Sequence, residues 1–294
     1  MKSGVVSIIG RTNVGKSTLL NSILEMKLSI TSDKAETTRN IIQGIYNDDD
    51  TQIVFVDTPG IHKPINKLGS VLNNASFSAI NGVDLVLFIV DAKTGIGKGD
   101  TFILDKLKDA DVPVILVLNK VDGLANDKLI TTIDEVKDIY PFKEIVPISA
   151  LKGKNVDELI KVVREYLPND FKLYSDDVVT NISDKFYVGE IVREKILNLT
   201  NREVPHTVTC FVQTLENEED IVRIQVDIIV ERDNLKKIII GKNGSMLKKI
   251  GSLAREDLEE YFSKKVYLET YVKTIDNWRD KEKYLKELGF TEDL

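Results

Sequence analysis

The chain has 294 residues, 42% of them hydrophobic and 30% charged, which gives room for about two globular domains with ordinary buried cores. Its longest apolar runs, near residues 85–90 and 114–118, are far too short to span a bilayer, and its formal net charge of −7 weighs against nucleic-acid binding only as an average, since phosphates are met by one face or loop. Cys210 is the single cysteine, which excludes an internal disulfide, and the first strand begins without a charged-then-apolar leader, so the expected location is the cytoplasm.

Residues 5–10 read as a buried strand and residues 18–24 as the start of a helix. Between them stands Gly10-Arg11-Thr12-Asn13-Val14-Gly15-Lys16-Ser17, followed by Thr18. Strand, G-x-x-x-x-G-K-S, then helix is the context of a phosphate-binding P-loop. Glycines let the backbone wrap an anion, and the helix N-terminus adds partial positive charge. Lys16 is expected on the β- and γ-phosphates and the Ser17 hydroxyl on Mg²⁺. A nucleoside triphosphate is the expected ligand.

Segments 41–46 and 52–57 flank a polar turn and predict a hairpin; 84–91, 112–119 and 144–149 are further candidate strands. Alternation of apolar runs with amphipathic stretches up to about residue 167 predicts an α/β domain with a mostly parallel sheet. Ligands of such sheets sit at the C-terminal strand ends. Asp57-Thr58-Pro59-Gly60 ends one strand, where a carboxylate can hold Mg²⁺ through water and a glycine N–H can contact a γ-phosphate. By itself D-x-P-G is a turn; after a P-loop it gains meaning. Asn119-Lys120-Val121-Asp122 ends another strand. One carboxylate, Asp122, can accept both the N1–H and 2-amino donors of guanine, with Asn119 supporting base and loop and the Lys120 stem along the ring. Ser149-Ala150-Leu151 fits as the loop whose Ala150 N–H meets the guanine carbonyl.

These four elements, in this order, resemble the GTPase family that includes Ras and the bacterial translation GTPases, over about residues 1–170. Within it, Glu36-Thr37-Thr38-Arg39 resembles the Thr-Thr-Arg subfamily of Era and the tRNA-modifying GTPases, and the resemblance makes Thr38 a Mg²⁺ ligand in a switch loop. Residue 61 is Ile, where Ras-type enzymes keep a water-orienting glutamine. In the family this accompanies slow intrinsic hydrolysis and, in several members, K⁺ held partly by a P-loop asparagine, a position Asn13 occupies. The catalytic set expected on this basis is Lys16, Thr38, Gly60 and Asn13, with Mg²⁺ and K⁺ as ions. His62 reads as a solvent-facing loop residue without a catalytic role.

Residues 171–182 are irregular and acidic and read as a linker. Beyond it the pattern changes to a helix over 183–198, strands over 207–215 and 221–231, a short helix from about residue 234, a long amphipathic helix over 245–262, a strand over 265–272 and a charged terminal helix over 276–288. Ile240-Gly241-Lys242-Asn243-Gly244 joins the two middle helices. A G-x-x-G turn between helices, followed by the basic residues Lys248 and Lys249, is how a KH module grips single-stranded nucleic acid. A solvated helix face remains an alternative for Lys248 and Lys249; Lys242 lies inside the loop.

A Thr-Thr-Arg GTPase domain (1–170), a linker (171–182) and a type II KH module (183–294) together resemble the Era family of ribosome-assembly GTPases. The resemblance implies GTP hydrolysis, binding near the 3′ end of small-subunit rRNA, the immature 30S particle as partner, a monomeric state and peripheral association with the inner membrane. Two other readings compete: an RNA-binding protein for which hydrolysis hardly matters, and a tRNA-modification GTPase, which needs a folate-binding domain and a C-terminal cysteine that this sequence lacks.

Overall fold

The computed structural model describes residues 1–34 and 36–290. Contacts divide the chain into two compact units, one of Met1–Thr31, Thr38–Ile65 and Gly69–Asn181, the other of Ser32–Thr37, Asn66–Leu68 and Ile182–Leu294.

The first unit is built on β1 (Lys2–Gly10), β2 (Ile42–Asn47), β3 (Thr51–Asp57), β4 (Leu85–Asp91), β5 (Val114–Asn119) and β6 (Glu144–Pro147). They form a six-stranded sheet in the order β2-β3-β1-β4-β5-β6. β2 and β3 make the expected hairpin and are antiparallel; every other pair is parallel. The β4 sequence LVLFIVD and the β5 sequence VILVLN are buried almost throughout. A strand covered on both faces has no use for polar alternation, which is why these two read as continuous apolar runs. The covering helices are α1 (Lys16–Leu24), α2 (Lys67–Ser78), α3 (Lys98–Leu107), α4 (Asn126–Val136) and α5 (Val156–Tyr166). Phe88, Ile103, Leu107, Leu116 and Val136 belong to one buried cluster on one side of the sheet. β1 lies between β3 and β4, so the chain departs from it in opposite directions. That leaves a crevice at the C-terminal ends of β1 and β3.

Of residues 171–182, expected as a linker, Val179, Thr180 and Asn181 are hydrogen-bonded along the outer strand β2, and Phe171, Leu173 and Tyr174 bond to β1 and β3. Ile45 N–H donates to the Val179 carbonyl at 2.9 Å, and Gly44 and Thr180 form an antiparallel bridge. The buried Gln52 carboxamide accepts from Leu173 and Tyr174 N–H at 2.7 and 2.9 Å.

The second unit runs α6 (Asp184–Leu199), α7 (Val204–Thr207), β7 (Thr209–Asn217), β8 (Ile221–Val230), α8 (Asp233–Ile240), α9 (Ser245–Phe262), β9 (Lys265–Thr274) and α10 (Glu282–Glu287). The sheet order is β7-β8-β9, antiparallel then parallel. Ile250, Ala254 and Leu258, four residues apart, put one stripe of α9 into the core. Two expectations are corrected here. The strand expected from residue 207 begins at Thr209, because Pro205 sits in the first turn of the short helix α7. The single terminal helix expected over 276–288 is broken. Asn277 takes a left-handed φ of 48°, Trp278–Asp280 form a 3₁₀ turn, and the fully buried Trp278 donates its indole N–H to the Thr207 carbonyl at 2.8 Å. Burying the indole against that carbonyl outweighs one more turn of exposed helix. Among the described residues, no helix is long and apolar enough to cross a membrane.

Candidate functional site

The P-loop leaves β1 at Gly10 and enters α1 at Lys16. Gly15 caps α1 with φ 102°, and a Cβ there would stand 2.2 Å from Asn119 Nδ2, so only glycine fits. No side chain caps this helix and its first turn holds no acidic residue, which leaves its N–H groups to an anion. Val14 is buried, Thr12 and Thr18 are half-buried, and Asn13 turns at φ 62°. Lys16 is 6% exposed and donates from Nζ to the carbonyls of Gly10 (3.2 Å) and Arg11 (2.8 Å). Burial lowers its pKa to about 8, with the Asp57 carboxylate pulling the other way. Arg11 points sideways: its Nη1 is 3.3 Å from Asp100 Oδ2 on α3.

The three residues expected around a metal converge. Ser17 Oγ is 2.6 Å from Thr38 Oγ1 and donates to Asp57 Oδ2 at 2.7 Å. Ser29 Oγ also donates to Asp57 Oδ2, at 3.2 Å. Asp57 is fully buried, and burial raises its pKa against the opposing pull of Lys16, Ser17 and Ser29. Its Oδ1 is buried with no hydrogen-bond partner. A buried, unsatisfied carboxylate oxygen beside two hydroxyls is a hard-oxygen donor set, which fits Mg²⁺ completed by phosphate oxygens. Among the described residues there is no His/Cys/Asp/Glu cluster of the kind that would hold a metal by protein ligands alone.

Asp57-Thr58-Pro59-Gly60 follows β3 directly. Thr58 Oγ1 donates to the Ile8 carbonyl at 2.8 Å. Gly60 lies so close to the P-loop that a Cβ would come within 2.6–2.8 Å of Thr12 atoms. Ile61 N–H donates to the Gly10 carbonyl at 3.2 Å, while its side chain, 3% exposed, joins the core cluster. His62 is half-buried, not solvent-facing: its Nδ1 lies 2.9 Å from the Gly60 carbonyl. Two residues that sequence reasoning missed anchor this segment to α2. Ser76 Oγ donates to the Pro59 carbonyl at 2.9 Å and Asn73 Nδ2 to the His62 carbonyl at 2.7 Å.

Asn119, at the end of β5, ties three loops together. Its Nδ2 donates to the Val14 carbonyl at 2.8 Å, and its Oδ1 accepts from Lys120 N–H (2.8 Å) and Ala150 N–H (2.9 Å). The Ala150 N–H, expected at a base carbonyl, is thus engaged by Asn119 in this structure. Lys120, at φ 69°, donates from Nζ to the Asn13 carbonyl (2.6 Å) and to Asp91 Oδ2 (2.8 Å). Asp91 was also missed, although Asp91 and Asn119 are paired neighbours at the ends of β4 and β5. The exposed Asp122 accepts from Ser149 Oγ at 2.6 Å, and that hydrogen bond is the first cause of its lowered pKa. Val121 is buried, and Leu151 is 74% exposed.

In the second unit, Ile240 ends α8, and Gly241 (φ 72°) and Gly244 (φ 77°) bracket a 3₁₀ turn in which Asn243 is also left-handed. A Cβ at Gly241 would meet Met246 at 2.7 Å, so that glycine is required by packing. A Cβ at Gly244 would meet nothing within 4 Å, so that glycine leaves backbone open to an approaching chain. Gly244 caps α9 without a side-chain bond. Lys242, Lys248 and Lys249 are exposed around this helix start. Asp233, in the first turn of α8, accepts from Thr274 Oγ1 at 2.7 Å.

Residues 5–120 match the family model described as 50S ribosome-binding GTPase, and residues 203–279 match the KH domain model. A crystal structure of an Aquifex aeolicus Era variant bound to GDP·AlF₄⁻ is 40% identical, with 99% of this chain and 100% of that one covered and a TM-score of 0.96. A structure of Era in complex with MgGDPNP and nucleotides 1506–1542 of 16S ribosomal RNA is also 40% identical, with the same coverage and a TM-score of 0.97.

Proposed function

We propose, from the premise that this chain belongs to the Era family of GTPases, that it hydrolyses GTP to time its hold on small-subunit rRNA near the 3′ end. The observation that carries the reading is the convergence of Ser17, Thr38 and Asp57 on one point beside Lys16. Thr38 belongs to a loop and Ser17 to the P-loop helix, so a ligand that engages both ties the loop to the nucleotide state. Bound there, Mg²⁺ would neutralise charge on the β- and γ-phosphates. Lys16 contributes a cation at the same phosphates, and the N–H groups of the Gly10–Ser17 turn hold their oxygens. Asp122 remains ionised through the neutral range and accepts the paired donors of guanine, while Asn119 and Lys120 hold the base-reading loop against the P-loop.

The Gly241–Gly244 turn, with Lys242, Lys248 and Lys249 around it, is proposed as the rRNA grip, and assembly of the 30S subunit as the process it serves. This is the work of a monomer in the cytoplasm. Peripheral membrane association is carried only by likeness to the family. Asn13 is proposed to hold K⁺, which would supply the positive charge an arginine finger otherwise gives. Hydrolysis rates equal in Na⁺ and K⁺ remove that role.

Ile61, sunk in the core, also favours a second reading in which GTP is a ligand that tunes RNA binding and hydrolysis is incidental. Single-turnover hydrolysis with and without a 3′-terminal small-subunit rRNA fragment separates the two. The switch reading expects RNA to accelerate hydrolysis and a GTP analogue to tighten RNA binding relative to GDP. If neither occurs, the second reading stands.

A further inference from the structure

Beside the nucleotide site, the segment 61–64 that follows β3, helix α2 and helix α3 enclose a cleft of about 960 Å³. That lies within the usual range of small-molecule sites, about 300–1,000 Å³. Its inner wall is apolar: Ile61 and Ile80 are 3% and 6% exposed and belong to the core cluster, with Phe77 packed against it. Phe102 stands at the mouth, 51% exposed, edge-on to Phe77 at 6.1 Å between ring centroids. Four cations line the cleft, Arg11, Lys63, Lys98 and Lys106, against one carboxylate, Asp109. Arg11 is held by Asp100, but among the described residues Lys63, Lys98 and Lys106 have no carboxylate within ion-pair distance.

We propose that this cleft binds an amphipathic organic anion, an aromatic body carrying a sulfonate, carboxylate or phosphate, and that its occupancy is coupled to the nucleotide site. The apolar wall and the half-exposed ring supply the body's contacts, and the surplus of cations supplies the charge selection. A neutral apolar ligand would use the wall and leave the cations unmet. Coupling follows from covalent and hydrogen-bonded continuity. Arg11 is the second residue of the P-loop, and Ile61, a wall residue, is bridged to it and bonded to Gly10. A ligand gripping Arg11, Ile61 and α3 together stiffens the loop that holds the phosphates. Only the coupling rests on the GTPase reading; binding does not.

The test uses the full chain bound to Mg·GDP, with 8-anilinonaphthalene-1-sulfonate as the probe and N-phenyl-1-naphthylamine as its uncharged counterpart. Fluorescence and calorimetric titrations are expected to show one saturable site for the sulfonate. Binding should weaken about tenfold or more in Phe102→Ala, in Lys106→Glu and for the uncharged counterpart. Both side chains are exposed enough that GDP binding by each variant should stay normal, which controls for folding. Equal affinity of the uncharged counterpart, or indifference to both substitutions, overturns the site. Release of a fluorescent GDP analogue should slow by about threefold or more when the probe saturates the cleft. Unchanged release overturns the coupling. Failure of GDP binding itself would count against the GTPase reading and is scored separately.

Discussion

Replacing Asn119 by alanine tests whether this residue holds the loops or reads the base. The side chain is 2% exposed and makes three hydrogen bonds at 2.8–2.9 Å. Truncation leaves the Val14 carbonyl and the Ala150 N–H without partners in residues that are 6% and 4% exposed. Each such buried orphan costs about 1–3 kcal/mol. Lys120 is only part-buried, so water recovers most of its N–H bond and the loss there is about 0.5–1 kcal/mol. The expected destabilisation is about 2.5–7 kcal/mol, a large share of the about 5–15 kcal/mol that holds a domain together. Because none of the three bonds involves a ligand, the loss must appear in nucleotide-free protein. Urea unfolding of that form measures it, with release of a fluorescent GDP analogue as the companion assay. Asn119→Asp keeps an acceptor for Lys120 and Ala150 but sets a carboxylate against the Val14 carbonyl, and should rescue only part. A loss below about 1 kcal/mol in the nucleotide-free form, with a defect confined to nucleotide release, would refute the argument that Asn119 acts by tying loops.

The remaining expectations concern protons, base and RNA. Burial holds the Lys16 pKa at about 8, below its ordinary 10.5, so the charged form costs folding free energy at pH below 8 and the cost is relieved as pH rises from 8 toward 10.5. Phosphate restores the charge, so GDP binding should take up most of a proton at pH 9 and much less at pH 7.5, read by calorimetry in buffers of different ionisation enthalpy; equal uptake at both sinks it. Asp122→Asn should move preference from guanine toward xanthine nucleotides by about tenfold or more, since an amide cannot accept both donors; unchanged GTP selectivity in competition binding removes the assignment. Gly244→Asp places a negative side chain in open space and should weaken RNA binding several-fold in a filter or anisotropy assay with GTP binding unchanged, while the left-handed backbone at φ 77° costs about 1–2 kcal/mol of stability. Gly241→Asp, meeting Met246, should also lower the melting temperature.

The sheet of the first unit was readable because β4 and β5 need uninterrupted apolar runs, and the motifs because phosphate and guanine chemistry fix residue types at strand ends. What escaped was anything set by three-dimensional coincidence. Ser29, Asn73 and Ser76 are small polar residues whose sequence neighbourhoods say nothing, and only the fold brings their oxygens and nitrogens to Asp57, His62 and Pro59. Asp91 was recoverable in principle, by aligning the ends of neighbouring strands. The sideways turn of Arg11 depends on Asp100, 89 residues away. The break at Asn277 was missed because the charged stretch around it has helical composition, whereas the decisive residue is Trp278, whose indole finds its acceptor in another element.

The hydrogen bonds of residues 179–181 to β2 bear on where this protein can be cut. β2 is the last strand of its sheet, and one row of its backbone groups is closed by Val179 and Thr180. A fragment ending at residue 170 would lay that row bare beside the half-exposed Tyr46, an invitation to pair with the same edge of another molecule. A fragment carried to residue 181 keeps its own cover. What reads in the sequence as a tether is, for the sheet it lies along, a selvedge that keeps the weave from unravelling into its neighbours.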